Sequence, residues 1–244
     1  MSHPSNGTPL SLGQKAAWAL LVIAVAALVG FAFWKKTRTV DIDLSGNSSI
    51  VMPSKSDAPR PEDLAVLGRV SDFKFTDQDG KTVEAKDLLG DVWVATFIFT
   101  HCAGTCPVIT LQLANLDKEI KDLPNVKLIS FSMDPDNDTP EVLKKYIQKQ
   151  EAVSPRWKFL TGPKSEMFRI TRDDFKLVVK EQPDSKDDPI IHSSKIVVVD
   201  AQGYIRARFD GIGNDGPSPE AIKLLAASIR KLRTLPPVSG KEIK

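Results

Sequence analysis

Three observations predict an α/β sandwich carried on a single N-terminal transmembrane helix. The apolar run 92–99, VWVATFIF, has the length and the Val, Ile and Phe content of a strand buried on both faces. The segments after it follow the order helix, strand, helix, hairpin, helix, in which a β-α-β crossover half joins an antiparallel half. Ahead of them the run 16–34, AAWALLVIAVAALVGFAFW, carries no charge between Lys15 and the pair Lys35 and Lys36.

With 244 residues, 41% hydrophobic and 26% charged, the chain has room for one ordinary core plus appendages. A net charge of +2 and 7% aromatic residues offer neither a basic patch nor a stacking platform, so nucleic acid is not an expected partner. Residues 1–15, with Pro4, Gly7, Pro9 and Gly13, read as a polar tail. The run from Ala16 to Trp34 is long enough to span a bilayer as a helix, with Trp18 and Trp34 suited to the two interfaces. A cleaved signal peptide, the rival reading, has a shorter apolar region and a small-residue cleavage site. Lys35, Lys36 and Arg38 outnumber the positive charge ahead of the helix, and by that count alone the C-terminal part would be cytoplasmic.

Residues 35–63, with Gly46, Pro53, Pro59 and Pro61, read as a linker. The domain then runs over 64–234, with a tail at 235–244. Asp79-Gly80 between 73–76 and 82–83 signals a hairpin. In 107–123, Ile109, Leu113, Leu116, Ile120 and Leu123 recur at helical spacing. A buried strand is expected at 126–132, and a helix over 140–150 that Asp138 could cap with Pro140 in its first turn. A short strand at 157–160, a helical turn or two at 165–170 and an extended piece at 175–179 follow. The acidic stretch 181–189 reads as a solvated loop. A hairpin is expected with strands 192–200 and 204–209 around Ala201-Gln202-Gly203, and a closing helix at 219–232. This is the order of a thioredoxin-like α/β sandwich, whose reactive loop follows the first central strand.

Both cysteines of the chain lie in that loop, Thr100-His101-Cys102-Ala103-Gly104-Thr105-Cys106-Pro107. Pro107 suits the first position of a helix, and a helix N-terminus favours thiolate over thiol, so Cys106 in particular is expected to have a lowered pKa. Two close thiols serve as a disulfide, a redox couple or a soft-metal site. The spacing Cys-x-x-x-Cys departs from the Cys-x-x-Cys of thioredoxin-type oxidoreductases and widens the mouth of the pair, which suits two thiolates on one ion.

A third ligand would come from the three histidines: His3 in the tail, His101 beside Cys102, or His192. His192 precedes a strand whose hairpin is expected to flank the central strand, so its loop can fold over the thiols. His101 would point away from its neighbour's side chain. The plain alternative for His192 is a hydrogen-bonded histidine at a strand end. Cys102, Cys106 and His192 together would suit Cu(I); Zn(II) would want a fourth ligand or water, and the sequence does not choose. A redox couple without metal, a peroxidase-like or sensing cysteine, and a structural bridge stand beside the metal reading.

Taken together, Phe99-Thr100-His101-Cys102 with Cys106-Pro107, Ser132-Met133-Asp134-Pro135 with Asp138-Thr139-Pro140-Glu141, and His192-Ser193 leading into 197–200 and Gly203 resemble the Sco/SenC family. Its members are copper-binding, membrane-anchored thioredoxin-fold proteins that help to assemble cytochrome c oxidase. The resemblance implies that Cys102, Cys106 and His192 bind copper. It also implies that the domain faces the periplasm or the mitochondrial intermembrane space, against the charge count. There it would deliver copper to the binuclear copper site of the oxidase's copper-site subunit, or reduce that site's cysteines through the redox-active pair Cys102 and Cys106. A thiol-disulfide reductase acting without an obligatory metal is the alternative. Family members commonly carry an acidic residue and a tyrosine just before the histidine, where this chain has Pro189-Ile190-Ile191. Asp184, Asp187 and Asp188 are the candidates to replace that carboxylate. Asp134 and Asp138 are expected to shape a turn and cap a helix.

Overall fold

The strand β4 (Val92–Ile98) sits in the middle of the sheet because both of its faces are apolar, and all its residues are buried. Val92, Val94 and Ile98 enter one core, while Trp93, Ala95 and Phe97 enter the other. Side chains that alternate between two apolar layers need cover on both sides, and the rest of the chain supplies it. The computed structural model describes Pro61 and residues 64–182, 190–212 and 219–238. The predicted tail at 1–15, the anchor at 16–34, nearly all of the linker and the loop carrying Asp184, Asp187 and Asp188 lie outside the described residues. Among the described residues no helix is long and apolar enough to cross a membrane.

The strands are β1 (Gly68–Arg69), β2 (Lys74–Asp77), β3 (Thr82–Glu84), β4, β5 (Val126–Ser132), β6 (Trp157–Thr161), β7 (Val179–Glu181), β8 (Ile190–His192), β9 (Lys195–Val199) and β10 (Tyr204–Asp210). The helices are α1 (Thr105–Glu119), α2 (Pro140–Lys149), α3 (Lys164–Arg169) and α4 (Pro219–Leu232). The main sheet has the order β1-β10-β9-β4-β5-β6-β2-β3. β4, β5 and β6 run parallel, joined by the crossover helices α1 and α2, and the flanking pairs are antiparallel. This is the expected thioredoxin-like arrangement, with the β9–β10 hairpin against the central strand as the sequence predicts.

One layer packs α1, α2 and α4 on the sheet through Leu113, Leu116, Leu143, Ile147, Leu225 and Ile229. The other buries an aromatic cluster, in which Phe131 contacts the rings of Phe73, Phe75, Trp93, Phe97 and Phe175. The predicted stripe of α1, Ile109, Leu113, Leu116, Ile120 and Leu123, is buried throughout. The helix itself ends earlier, at Glu119, with Ile120 as its C-cap. Arg156 Nη1 then donates to the carbonyls of Ile120 and Leu123 at 3.2 and 2.6 Å, acceptors past the last helical residue that have no i+4 helical donor. Both predicted hairpin turns form with the glycine in left-handed backbone, at φ 75° for Gly80 and 84° for Gly203.

The chain departs from expectation between α3 and β9. The helix of α3 continues into a π-helical turn, Ile170–Asp174, and the extended piece begins only at β7. The strand expected at 192–200 is two strands. β8 pairs with β7 in a separate two-stranded sheet, Val179 opposite His192, and β9 starts only at Lys195. Ser193 N–H donates to the Val178 carbonyl at 3.1 Å rather than continuing toward β10, so the chain turns between the two sheets. His192 thus ends a small hairpin beside the main sheet.

Candidate metal centre

Beyond β4 the chain leaves the sheet and turns back through the Cys102 N–H, which donates to the Phe99 carbonyl at 3.3 Å. Thr100 is held at the start of this turn. Its hydroxyl donates to Asp138 Oδ1 at 2.5 Å and its N–H reaches both carboxylate oxygens, at 3.3 and 3.2 Å. Ser132 Oγ at the end of β5 donates to Asp138 Oδ2 at 2.5 Å. Asp138 is fully buried, and burial raises its carboxyl above the usual range while the hydrogen bonds from Ser132 and Thr100 work the other way. The cap of α2 is Thr139, whose Oγ1 accepts from the Val142 N–H; the expectation that Asp138 caps that helix is corrected, because its carboxylate is committed to the cysteine loop.

Helix α1 starts at Thr105, so Pro107 is its third residue, where the missing N–H still has no intrahelical partner to lose. No side chain of the helix-capping residue, Gly104, is present to accept the first N–H groups. Cys102 takes that place: the Cys106 N–H points at Cys102 Sγ, 3.4 Å away. The Cys102 thiol is lowered to about 5, first by the hydrogen bond from the Cys106 thiol, against the opposing effect of burial, and then by the N–H groups of Cys106 and Gly104 and the positive charge of His192. The thiol that this geometry lowers is Cys102, where the sequence singles out Cys106. Cys106 lies within the first turn, fully buried, whereas Cys102 precedes the helix and sits over its mouth with 8% of its surface exposed. The two thiols are not bridged.

His192 arrives from β8. Its Nδ1 lies 3.1 Å from the Ser193 carbonyl, and a carbonyl can only accept, so Nδ1 carries the proton of that bond. In the neutral ring this leaves Nε2 as the lone-pair nitrogen, and Nε2 lies 3.5 Å from Cys106 Sγ. The imidazole stands edge-on to Phe99 at 5.5 Å between ring centres. The structure thus brings Cys102, Cys106 and His192 to one mouth. His101 is exposed with Nδ1 3.4 Å from Thr100 Oγ1, and His3 lies outside the described residues. Behind Cys106, Thr110 Oγ1 donates to the Cys106 carbonyl and lies 2.9 Å from Tyr146 Oη, both groups buried.

The Cys106–His192 pair passes a simple fit test. Thiolate and imidazole bonds of about 2.3 and 2.0 Å, at angles between tetrahedral and trigonal, place sulfur and nitrogen about 3.5 to 3.7 Å apart. The Cys106 to His192 separation of 3.5 Å lies in that range. Among the described residues no three His, Cys, Asp or Glu side chains already enclose a common point; these donors meet as two contacts in a row.

A thioredoxin-like sandwich whose strand-to-helix loop sets two thiols against a histidine from a distant hairpin defines a class of thiol- and soft-metal-handling domains. The family model described as SCO1/SenC matches residues 66–227, and the chain belongs to that family. The SCO1 protein homolog of Bacillus subtilis is 39% identical over 147 residues, covering 59% of this chain and 75% of that protein. The solved structure of BsSco, described as a member of the Sco family of cytochrome c oxidase assembly proteins with a disulfide switch, is 34% identical at a TM-score of 0.61, covering 70% of this chain and 96% of that one. ScoI of Bradyrhizobium japonicum, solved with copper bound, is 27% identical at a TM-score of 0.56, covering 67% of this chain and 99% of that one.

Proposed function

We propose that this protein carries copper for the assembly of cytochrome c oxidase, with Cys102, Cys106 and His192 as the ligands of its cargo. The observation that carries the reading is the approach of His192 Nε2 to Cys106 Sγ at 3.5 Å, with Cys102 in contact with Cys106. Cys102 and His192 are prepared for that role before any ion arrives. Cys102 is already a thiolate at neutral pH, so little proton release opposes its use as a donor. The bond from His192 Nδ1 to the Ser193 carbonyl fixes the tautomer and leaves Nε2 as the donor. Two sulfurs and one imidazole suit a soft monovalent ion better than an oxygen-seeking one. The recipient is the binuclear copper site of the oxidase's copper-site subunit, which the protein meets from the periplasmic or intermembrane-space side, tethered through 16–34.

A reductase reading rests on the same loop, in which Cys102, lowered to about 5, lies in hydrogen-bond contact with Cys106. The Cys102 thiolate would attack a partner disulfide and form a mixed disulfide. Cys106 would then displace the second partner thiol, leaving a Cys102–Cys106 disulfide for an external dithiol to reduce. Titration of the reduced protein with Cu(I) against a competing chelator separates the readings. On the copper reading, Cys102→Ala abolishes thiolate-to-copper absorption and His192→Ala weakens binding. An unchanged affinity in His192→Ala removes that residue from the ligand set. Undiminished reduction of a disulfide substrate by the same variant favours the reductase.

A further inference from the structure

Among the buried polar groups that the ligand set leaves unused, the Asp138 cluster reaches furthest. The geometry points to Asp138 as the positioning residue of the thiol pair, the group that fixes where the cysteine loop leaves β4 and so where Cys102 and Cys106 stand relative to His192. The inference rests on the copper reading only for its metal readout; the placement of the loop is a property of the protein alone.

Asp138 joins Thr100 just after β4, the end of β5 and the β5-to-α2 loop, just beyond the last backbone bond between the two strands, Met133 N–H to the Ile98 carbonyl at 2.7 Å. Its Oδ1 receives the Thr100 hydroxyl at 2.5 Å, its Oδ2 receives Ser132 Oγ at 2.5 Å, and the Thr100 N–H lies between the two oxygens. Its own N–H donates to the Asp134 carbonyl at 2.8 Å, which closes the β5-to-α2 loop, and Asn137 Nδ2 holds Asp134 Oδ2 at 2.8 Å. Thr100 is the first inner residue of the turn that carries Cys102. A threonine there with no carboxylate to bind would leave the exit angle of the loop to the turn alone. Beyond the Cys102 N–H to the Phe99 carbonyl and the N–H groups on Cys102 Sγ, the loop has no side-chain anchor at its far end: the residue before α1 is Gly104, which has no side-chain cap, and a Cβ added at Gly104 would meet nothing within 4 Å. The loop is therefore open on its solvent side and held on its inner side by Asp138. Asp138 and Ser132 Oγ are buried and the Thr100 contacts partly so, which makes water a poor substitute when one is removed.

Two readouts on the reduced full-length protein test this. One is the Cu(I) association constant measured against a competing chelator. The other is the association constant for phenylarsine oxide, a trivalent arsenical that bridges two thiols and needs no copper. Asp138→Asn keeps the shape but turns one acceptor oxygen into a donor. It is expected to lower both constants about ten- to a hundredfold, the range for losing a group that orients ligands. Thr100→Val is expected to do the same, and Thr100→Ser to restore both constants, since only the hydroxyl is needed. The comparison variant is Thr96→Val, which breaks the buried Thr96–Ser130 hydroxyl pair in the body of the sheet and leaves the loop alone. It is expected to lower the melting temperature with both constants unchanged.

The inference is overturned if Asp138→Asn and Thr100→Val lose stability like Thr96→Val while both constants keep their wild-type values. If Asp138→Asn does not fold, the Thr100→Val and Thr100→Ser pair decides on its own. A wild-type protein that binds the arsenical but not Cu(I) would sink the copper reading and leave the arsenical comparison to judge Asp138.

Discussion

Cys102 holds its sulfur where a serine or aspartate oxygen commonly sits at a helix N-terminus, and the peptide groups of α1 treat it as a cap. The chemical consequence is a thiolate at neutral pH. Alkylation of the reduced protein by iodoacetamide tests it, since only the thiolate attacks. The rate should reach half its maximum near pH 5, the value to which the thiol is lowered, rather than in the ordinary cysteine range. The sign follows from the charge: above that pH the group is anionic and reactive, and below it protonation shuts the reaction down. Cys106→Ser, which keeps the N–H and replaces the thiol donor by a hydroxyl, should preserve most of the effect, whereas an ordinary thiol midpoint in the wild type would show that the helix mouth does not act on Cys102. At this scale the Cys-x-x-x-Cys-Pro spacing already marks the pair, and the scarcity of histidines marks His192. The spacing does not reveal which sulfur lies over the helix, because that depends on α1 starting at Thr105, ahead of the proline that seemed to mark its first residue. Nor does it reveal that Asp138 serves the loop instead of its own helix, a choice made by Ser132 and Thr100 across two strand ends.

Among the elements, the β7–β8 hairpin brings His192 in, and its attachment to the main sheet is a close backbone approach. Gly211, just past β10, donates its N–H to the Ser194 carbonyl at 3.0 Å. A Cβ at this position would lie 2.4 Å from that same carbonyl oxygen and 3.3 Å from side-chain carbons of Ile109 and Ile196. The obstacle is backbone, so it cannot swing aside as a side-chain tip would. Gly211→Ala should cost about 1–3 kcal/mol, the range for overpacking a filled site. It should also shift Ser194, two residues from His192, and so weaken Cu(I) binding; thermal denaturation and the chelator competition read the two effects. Wild-type values in both would show that the contact relaxes without reaching the site. Strong periodic elements were legible from the chain alone: β4, β5, α1, α2 and α4 fall within a few residues of expectation. The elements missed were short and set by pairing. The apolar run from Ile196 reads naturally as one strand with His192, yet Ser193 bonds back to Val178 and β8 pairs with β7, and no local pattern in the sequence states that preference.

The described domain is one main sheet between two cores, with the β7–β8 sheet beside it, and the site is built where both cores meet the carboxyl end of β4. Phe99, Cys102 and Cys106 extend the helix-side core, while Ile190 and Val179, on the hairpin that carries His192, belong to the aromatic core. The thiols therefore depend on one layer and the imidazole on the other, and the ligand set is complete only while both stay packed on β4. The fold class was legible because alternation along β4 and β5 demands two cover layers. Which layer owns the histidine was not, because that follows from the separate β7–β8 sheet. The dependence can be measured through Phe131, which lies at the centre of the aromatic layer, fully buried among the rings of Phe73, Trp93 and Phe97. Phe131→Ala should destabilise the protein by about 3–5 kcal/mol, the range for emptying an aromatic core position. With strands shared by both layers, denaturant unfolding followed by far-ultraviolet circular dichroism and by tryptophan fluorescence should give coincident midpoints, both lowered. Trp93 reports on the aromatic layer and Trp157 on the helix side, so two separated transitions would mean that the layers melt independently and that the helix-side thiols can outlast the seat of His192.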